Sequence, residues 1–535
     1  MTTSPKSADD FMPIPGLIAA HAKSNSQGIA FREGDATLTW QMLDGRISQV
    51  ARSLLSVGVQ AGDRVAILST PSLAYVECFF GIIAARACVV PLPVSASRTT
   101  LETILANSGA RVLFLDDLSS EVASDLAQHQ QQQPDCKVIW LNGREGNQDA
   151  YATWIQKRKG EDKLPHAEPE DRFNIIYSSG TTGTPKGIVH SHGMRQRQAM
   201  RGGFGFSTSS RLLLSTPMYS NTTITPLLGS LVHGGEAILM RKFDAGQWLK
   251  IASQLKVTHT MLVPVQYQRL LDHPDFERSD LSSLQLSQST GAPMSAALKS
   301  EILKRWPGKF REVYGLTEGG VSCFLDARQH PDKLGTVGVP VHGTEVFLID
   351  EEGRRLPTQT GAGNGVTIPS RVTGEVVGRS PFMMTEYFNQ PDASAEIRWL
   401  DAEGHVYHRT GDIGYFDQDG FLTLLDRKKD VIISGGNNIY AVDLETVLVK
   451  HPAVLEVAVI GVPSAQWGET PLALVVLKPG MSIDGEVLRV WANAQLGKTQ
   501  RISALELRNE LGRNALGKLS KKQLRERYWD QSRAP

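Results

Sequence analysis

Helix-like and strand-like stretches alternate along the first 340 residues of this chain. Residues 46–57 (RISQVARSLLSV) carry apolar side chains at helical spacing, and GDRVAILS then reads as a buried strand behind a Gly-Asp turn. The pattern returns in AYVECFFGIIAARA, CVVPLPV, a helix and RVLFLD, and again in FNIIYSS, RLLLSTP, AILM and HTMLVPV. Such alternation predicts a parallel sheet covered on both faces by helices. Residues 345–425 differ: TEVFLID, TGEVVGR and GYFDQDGFLTLL are short β runs split by Gly, Asp and Asn turns, which predicts an antiparallel meander or small barrel. After the charged stretch LLDRKKD, a final block mixes helix (AVDLETVLVKH) with strands (EVAVIGV, PLALVVLK). The expected fold class is α/β. A large N-terminal domain (1–426) of layered α/β subdomains with a small β-barrel-like part precedes a small, mobile α+β lid (427–535). The segments 128–135 (QHQQQQPD) and 357–369 read as surface loops.

A chain of 535 residues corresponds to about three or four folding units and can bury a core without metal or disulfide staples. Its 56 basic and 56 acidic side chains cancel, which argues against nucleic acid or an acidic membrane as a partner. Cys78, Cys88, Cys136 and Cys323 are scattered without C-x-x-C spacing, as expected of buried free thiols in a reducing compartment. The N-terminus lacks the basic and apolar runs of a signal peptide. The apolar stretch Phe79–Leu92 is broken by Arg86 and Pro91, too short to span a bilayer, and reads as a helix leading into a buried strand. The expectation is a cytoplasmic protein with no integral membrane segment; a homodimer is left open.

The strongest chemical signal is YSSGTTGTPKG at Tyr177–Gly187, directly after the apolar run FNII. Hydroxyls at Ser178, Ser179, Thr181, Thr182 and Thr184 alternate with Gly180 and Gly183, whose bare backbone lets N–H groups approach a phosphate. Lys186 adds a positive charge at the loop's end. Pro185 stands where a Walker loop requires its second glycine, so this is not an ordinary P-loop. A flexible Ser/Thr/Gly linker is the bland alternative, and its place between a buried strand and the helical stretch HSHGMRQRQAM argues against it.

This loop resembles the signature of the adenylate-forming superfamily, which holds acyl- and aryl-CoA synthetases, peptide-synthetase adenylation domains and beetle luciferases. Further stretches similar to the family's follow in order. In VYGLTEGG (Val313–Gly320) the resemblance implies that Tyr314 and Gly315 lie against adenine, Thr317 contacts the α-phosphate and Glu318 holds Mg2+, an oxygen ligand for a hard cation. STGAP (Ser289–Pro293) resembles the adenine and acyl-pocket turn, with Gly291, Ala292 and Pro293. HRTGD (His408–Asp412) and LLDRKKD imply ribose contacts at Asp412 and Arg427, with the hinge of the small domain at Lys429. SGGNNIYAVDLE (Ser434–Glu445) is similar to S-G-G-E-N-I-Y-P-x-E-V-E but departs at Asn437, Ala441 and Asp443. By this likeness Ser434, Gly435 and Gly436 line the coenzyme A tunnel, joined by Trp467. LGRNALGKLSK matches L-P-R-x-x-x-G-K with Gly512 for the Pro, which makes Lys518 the lysine of adenylation.

The implied activity is that of an acid–thiol ligase using ATP, Mg2+ and coenzyme A. The carboxylate attacks the α-phosphorus, then the CoA thiolate takes the acyl group. Lys186, Lys518, Thr317, Glu318 and loop N–H groups would shield charge, so no side-chain nucleophile is needed. The expected acyl pocket is Tyr219, Ser220, Asn221, Ile224, Gln266, Gly291 and Leu316, with Ser220 where many relatives carry His. That lining suits a fatty, aryl or short functionalised acid. Rival readings are an amino-acid-activating enzyme that loads a carrier protein, which the lack of an acidic residue in MYSNTT opposes, and a nucleotide-binding paralogue without turnover.

Overall fold

The computed structural model describes residues 11–116, 126, 136–142, 150–156, 163–178, 185–357, 372–497, 500–513 and 519–529. The chain forms two compact units. The first comprises Met1–Leu334, Val341–Thr344 and Arg379–His408; the second comprises Gly335–Pro340, Glu345–Gly378 and Arg409–Pro535. The loops expected at 128–135 and 357–369 lie outside the described residues, apart from Pro357.

The first unit holds two twisted sheets. One runs in the order Glu386–Tyr387, Lys186–Ser191, Arg172–Ser178, Cys88–Pro91, Arg64–Leu68, Val112–Leu115, Lys137–Trp140. It is parallel from Arg172–Ser178 onward and antiparallel at the other edge. In the other, Lys309–Gly315, Leu286–Ser289, His259–Leu262, Arg211–Leu214, Glu236–Leu239 and Ile29–Glu33 are parallel neighbours, flanked by antiparallel Ser322–Asp326 and Ala36–Thr39. The alternation read from the sequence therefore folds as expected into parallel sheets.

Helix Leu73–Ala84 shows why one segment reads as apolar all round. It is buried along nearly its whole length and touches strands of both sheets, Arg64–Leu68 and Ile29–Glu33. Gly81 lets it approach helix Trp40–Ser56, since a Cβ there would sit 2.4 Å from Val50. Helix Trp40–Ser56 begins at Trp40 rather than at residue 46, because the Thr39 hydroxyl accepts from Met42 N at 3.2 Å and Trp40 and Leu43 are fully buried. All four cysteines are free, and burial pushes the Cys88 thiol up to about 12 and Cys136 up to about 11. Among the described residues no helix is long and apolar enough to cross a membrane.

The second unit contains a sheet of Glu345–Ile349, Gly374–Arg379, Val406–Phe416 and Leu422–Arg427. It corrects the barrel expectation: among the described strands this sheet stays open, with Glu345–Ile349 and Leu422–Arg427 as separate edges. The long strand Val406–Phe416 carries a register shift between Ile413 and Gly414 that re-aims its pairing. The C-terminal block is α+β, as expected. Alternate residues of Val454–Ser464 and Gly468–Leu477 face opposite sides. Val459, Ala473 and Val475 pack with helices Ala441–Leu448 and Gly485–Asn493, while Ile460, Leu472 and Leu474 pack toward helix Lys521–Trp529.

Candidate active site

Four neighbouring parallel strands of the first unit deliver the expected acid- and adenine-side residues at their carboxyl ends, where ligands bind in open α/β sheets. Arg211–Leu214 is followed by Tyr219–Asn221, His259–Leu262 by Gln266, Leu286–Ser289 by Gly291–Pro293, and Lys309–Gly315 by Leu316–Glu318. Gly291, at φ +88°, lies close to Thr222 and Val263: its Cβ position is 3.5 Å and 3.6 Å from their side chains. Ser220 caps helix Asn221–Val232 by accepting from Thr222 N at 3.2 Å. Tyr219 Oη meets Ser95 Oγ at 3.5 Å. The Gln266 amide is spent on structure, donating to Ser215 O at 3.2 Å and accepting from Val263 N at 3.1 Å. Ile224 sits fully buried in the main core. The hydroxyls of Ser215 and Ser289, at these strand ends, are buried without a partner among the described residues.

Leu316–Gly319 forms a tight turn, with Gly319 N donating to Leu316 O at 3.0 Å and Thr317 and Glu318 at its tip. Gly319 is demanded twice, by φ +74° and because a Cβ would lie 2.0 Å from Phe382 O. The Tyr314 strand residue pairs with Cys323.

The two strands that flank the phosphate-loop candidate are antiparallel neighbours. Ser178 and Lys186 are directly paired across Arg172–Ser178 and Lys186–Ser191, which fixes the loop's two ends. The stretch HSHGMRQRQAM is helical from its third residue onward. The buried run GIVH forms a strand first, and helix His192–Met200 starts only after Ser191, its cap. Ser179, Gly180, Thr181, Thr182, Gly183 and Lys518, expected from the sequence to serve adenylation, lie outside the described residues.

Three side chains that sequence reasoning did not single out tie these parts together. His190 on the hairpin is fully buried and its Nε2 is 2.8 Å from Thr317 O. Arg195 Nη2 and Asn174 Nδ2 both face its Nδ1 at 3.1 Å; both are donors, so Nδ1 accepts and Nε2–H donates to Thr317. Burial first, and the charge of Arg195 second, hold His190 well below its ordinary value, so it stays neutral. Arg195 is itself fully buried. It donates to Asn174 Oδ1 at 2.9 Å and to Gln198 Oε1 and Asn221 Oδ1, both at 2.7 Å. Burial pulls Arg195 down to about 9, and among the described residues no carboxylate pairs with it. The third is Tyr387, whose hydroxyl donates to Glu318 Oε1 at 2.8 Å and whose ring centroid is 4.9 Å from Lys186 Nζ.

In the second unit Asp412 and Arg427 face each other across paired strands, Nε to Oδ1 at 2.6 Å, so the two expected ribose contacts meet. The Asp412 backbone is held by Thr410 Oγ1 at 3.0 Å. Gly435 and Gly436 form the two-residue loop between Ile432–Ser434 and Asn437–Ile439, at φ +55° and +77°, as a type I′ hairpin turn requires. Gly435 lies under Trp467: its N donates to Trp467 O at 2.9 Å, and a Cβ would come within 2.7 Å of the indole. Around Gly436 the space is open. Lys429 sits in the short 3-10 turn Lys428–Asp430, where Arg525 donates to its carbonyl at 3.1 Å and pairs with Asp430.

The model of the AMP-binding enzyme family matches residues 18–388, and that of the AMP-binding enzyme C-terminal domain matches residues 443–518. A feruloyl-CoA synthase of an Amycolatopsis species is 32% identical over 95% of this chain and 97% of its own length. A fatty acid–[acyl-carrier-protein] ligase of Streptomyces coeruleorubidus is 31% identical over 93% and 92%. Among solved structures, ATP-bound MatB from Rhodopseudomonas palustris superimposes with a TM-score of 0.85 at 25% identity, covering 97% of this chain and all of that one. The chain belongs to the AMP-binding enzyme family.

Proposed function

We propose that this enzyme is an ATP-dependent acyl-CoA synthetase. The acid's carboxylate attacks the α-phosphorus of ATP and pyrophosphate leaves; the CoA thiolate then attacks the acyl carbonyl of the adenylate and AMP leaves. One observation carries the reading most. The turn bearing Thr317 and Glu318 is linked through His190 and Tyr387 to the hairpin bearing Lys186, beside the strand ends that carry Tyr219–Asn221 and Gly291. Both reactants of the first step are anionic, so catalysis there consists of bringing them together and offsetting their charge. Lys186 and Lys518 supply cations and the loop at 178–184 supplies backbone N–H groups. Glu318 fits the role of metal ligand, since its Oε2 engages nothing among the described residues while Oε1 is steadied by Tyr387. Bound there, Mg2+ would neutralise phosphate charge.

In this reading Tyr314, Gly315 and Gly291–Pro293 receive adenine, and Asp412 and Arg427 the ribose. Residues 427–535 turn about Lys429 to exchange Lys518 for the Ser434–Gly436 tunnel. The enzyme works in the cytoplasm on a fatty, aryl or short functionalised acid. The similarity to a carrier-protein ligase keeps a second acceptor in view, the pantetheine thiol of a carrier protein. The test is pyrophosphate release with ATP and Mg2+ over fatty acids, benzoates, cinnamates and amino acids, with and without CoA. CoA-dependent release with one acid class supports the proposal. Release with amino acids and no response to CoA, or no release at all, contradicts it.

A further inference from the structure

Arg195 is an expensive residue to bury. A guanidinium removed from water needs a compensating anion or a full set of acceptors, and here three amide oxygens and one imidazole nitrogen stand in for a carboxylate. Two of these contacts serve the turn at Thr317 through Asn174 and His190. Another fixes Asn221, the first residue of helix Asn221–Val232, at the strand ends where the acid is expected. A guanidinium only donates, so Oδ1 of Asn221 must face it and Nδ2 must turn the other way. Thr225 Oγ1 adds a second contact to the same Oδ1 at 3.4 Å. Asn221 is half-buried, and its Nδ2 donates to nothing among the described residues.

From this arrangement we infer that the acid carries a hydrogen-bond acceptor remote from its carboxylate, read by the Asn221 amide that Arg195 locks in place. The inference rests on the proposed synthetase activity and narrows its substrate class to oxygen-bearing acids, such as keto, ether or alkoxyaryl acids. A hydrocarbon chain laid over Asn221 strips water from Nδ2 and returns no partner, whereas a carbonyl or ether oxygen restores the bond. The charge behind Oδ1 polarises the amide and strengthens N–H donation. Sites built to hydrogen-bond a substrate atom reject analogues lacking it far more strongly than apolar pockets discriminate by size. Asn221 is thereby a specificity-determining residue and Arg195 a positioning residue.

The test compares kcat/KM for CoA-dependent pyrophosphate release on matched acids: octanoate against its 4-, 5-, 6- and 7-oxo derivatives, and 4-ethylcinnamate against 4-methoxycinnamate. The wild-type enzyme should favour at least one oxygen-bearing acid over its hydrocarbon match by about 10²-fold or more. Asn221→Asp keeps a partner for Arg195 but offers no N–H, and Asn221→Leu removes both. In each the ratio should collapse to within about threefold. Wild-type turnover without an oxygen preference, or a preference that survives Asn221→Asp, overturns the inference while leaving the activity standing. Absence of turnover with every acid, amino acids included, removes the activity itself and the inference with it.

Discussion

The hydroxyl of Tyr387 donates to Oε1 of Glu318 at 2.8 Å, across 69 residues of sequence. The bond orients the one carboxylate of the Leu316–Gly319 turn, and the same ring lies under the Lys186 ammonium. Tyr387→Phe keeps the ring and deletes the bond. Partners that orient a metal ligand typically contribute 10- to 100-fold in metal affinity or activity. The Mg2+ concentration for half-maximal pyrophosphate release should therefore rise roughly 10- to 100-fold. An unaltered Mg2+ dependence would reduce Tyr387 to a packing residue.

Gly436 separates a structural from a functional requirement. Its φ of +77° serves the hairpin turn, yet a Cβ there meets nothing within 4 Å. Asn accepts a left-handed backbone, so Gly436→Asn preserves the turn and adds a side chain on the proposed path of CoA. The KM for CoA should rise about tenfold, roughly 1.4 kcal/mol of binding, and thioester formation should fall relative to ATP–pyrophosphate exchange. Equal loss in both reactions would place the glycine's role in the hairpin alone.

Acid sensitivity should come from buried neutral histidines. Burial lowers His192 from 6.5 to about 4, and both its ring nitrogens are buried without partners among the described residues. A depressed folded value means that the unfolded chain binds more protons. The contribution of His192 is full above pH 6.5 and lost as pH falls toward 4. The shift is worth at most about 3 kcal/mol. The ring makes an edge contact with Phe173 at 5.2 Å that a phenyl can keep. His192→Phe should match the wild type in urea unfolding at neutral pH and outlast it at acid pH; parallel losses in the two proteins would refute this account.

Lys518 lies outside the described residues, but its proposed role makes a clear prediction. Lys518→Ala should lose acid-dependent ATP–pyrophosphate exchange by roughly 10²-fold or more, the scale of one charge-stabilising group. Supplied acyl-adenylate should still be converted to thioester. Comparable loss in both half-reactions, measured by rapid quench, would rule out a lysine that serves adenylation alone.

Much of this architecture was legible in the sequence because its signals are local. The strand FNII, the Gly-Thr loop and the paired lysine follow one another directly, and Asp412 and Arg427 flank the β run GYFDQDGFLTLL. What stayed hidden depends on distant neighbours. His190 acts on Thr317 from 127 residues away. Arg195, inside HGMRQRQAM, reads as an ordinary polar helix residue; only the fold buries that helix on nearly every side. Helical periodicity carries no mark of such burial when the buried side chains are themselves polar. The barrel expectation failed because turn-rich β sequence fixes the strands but not whether the sheet closes.

The central claim is that the acid's carboxylate attacks the α-phosphorus. It is tested most directly by supplying the preferred acid with both carboxyl oxygens as 18O and analysing the products by mass spectrometry. Adenylation predicts one 18O atom in AMP and none in pyrophosphate. Appearance of the label in inorganic phosphate, with ADP as the nucleotide product, would show attack at the γ-phosphorus and contradict the account.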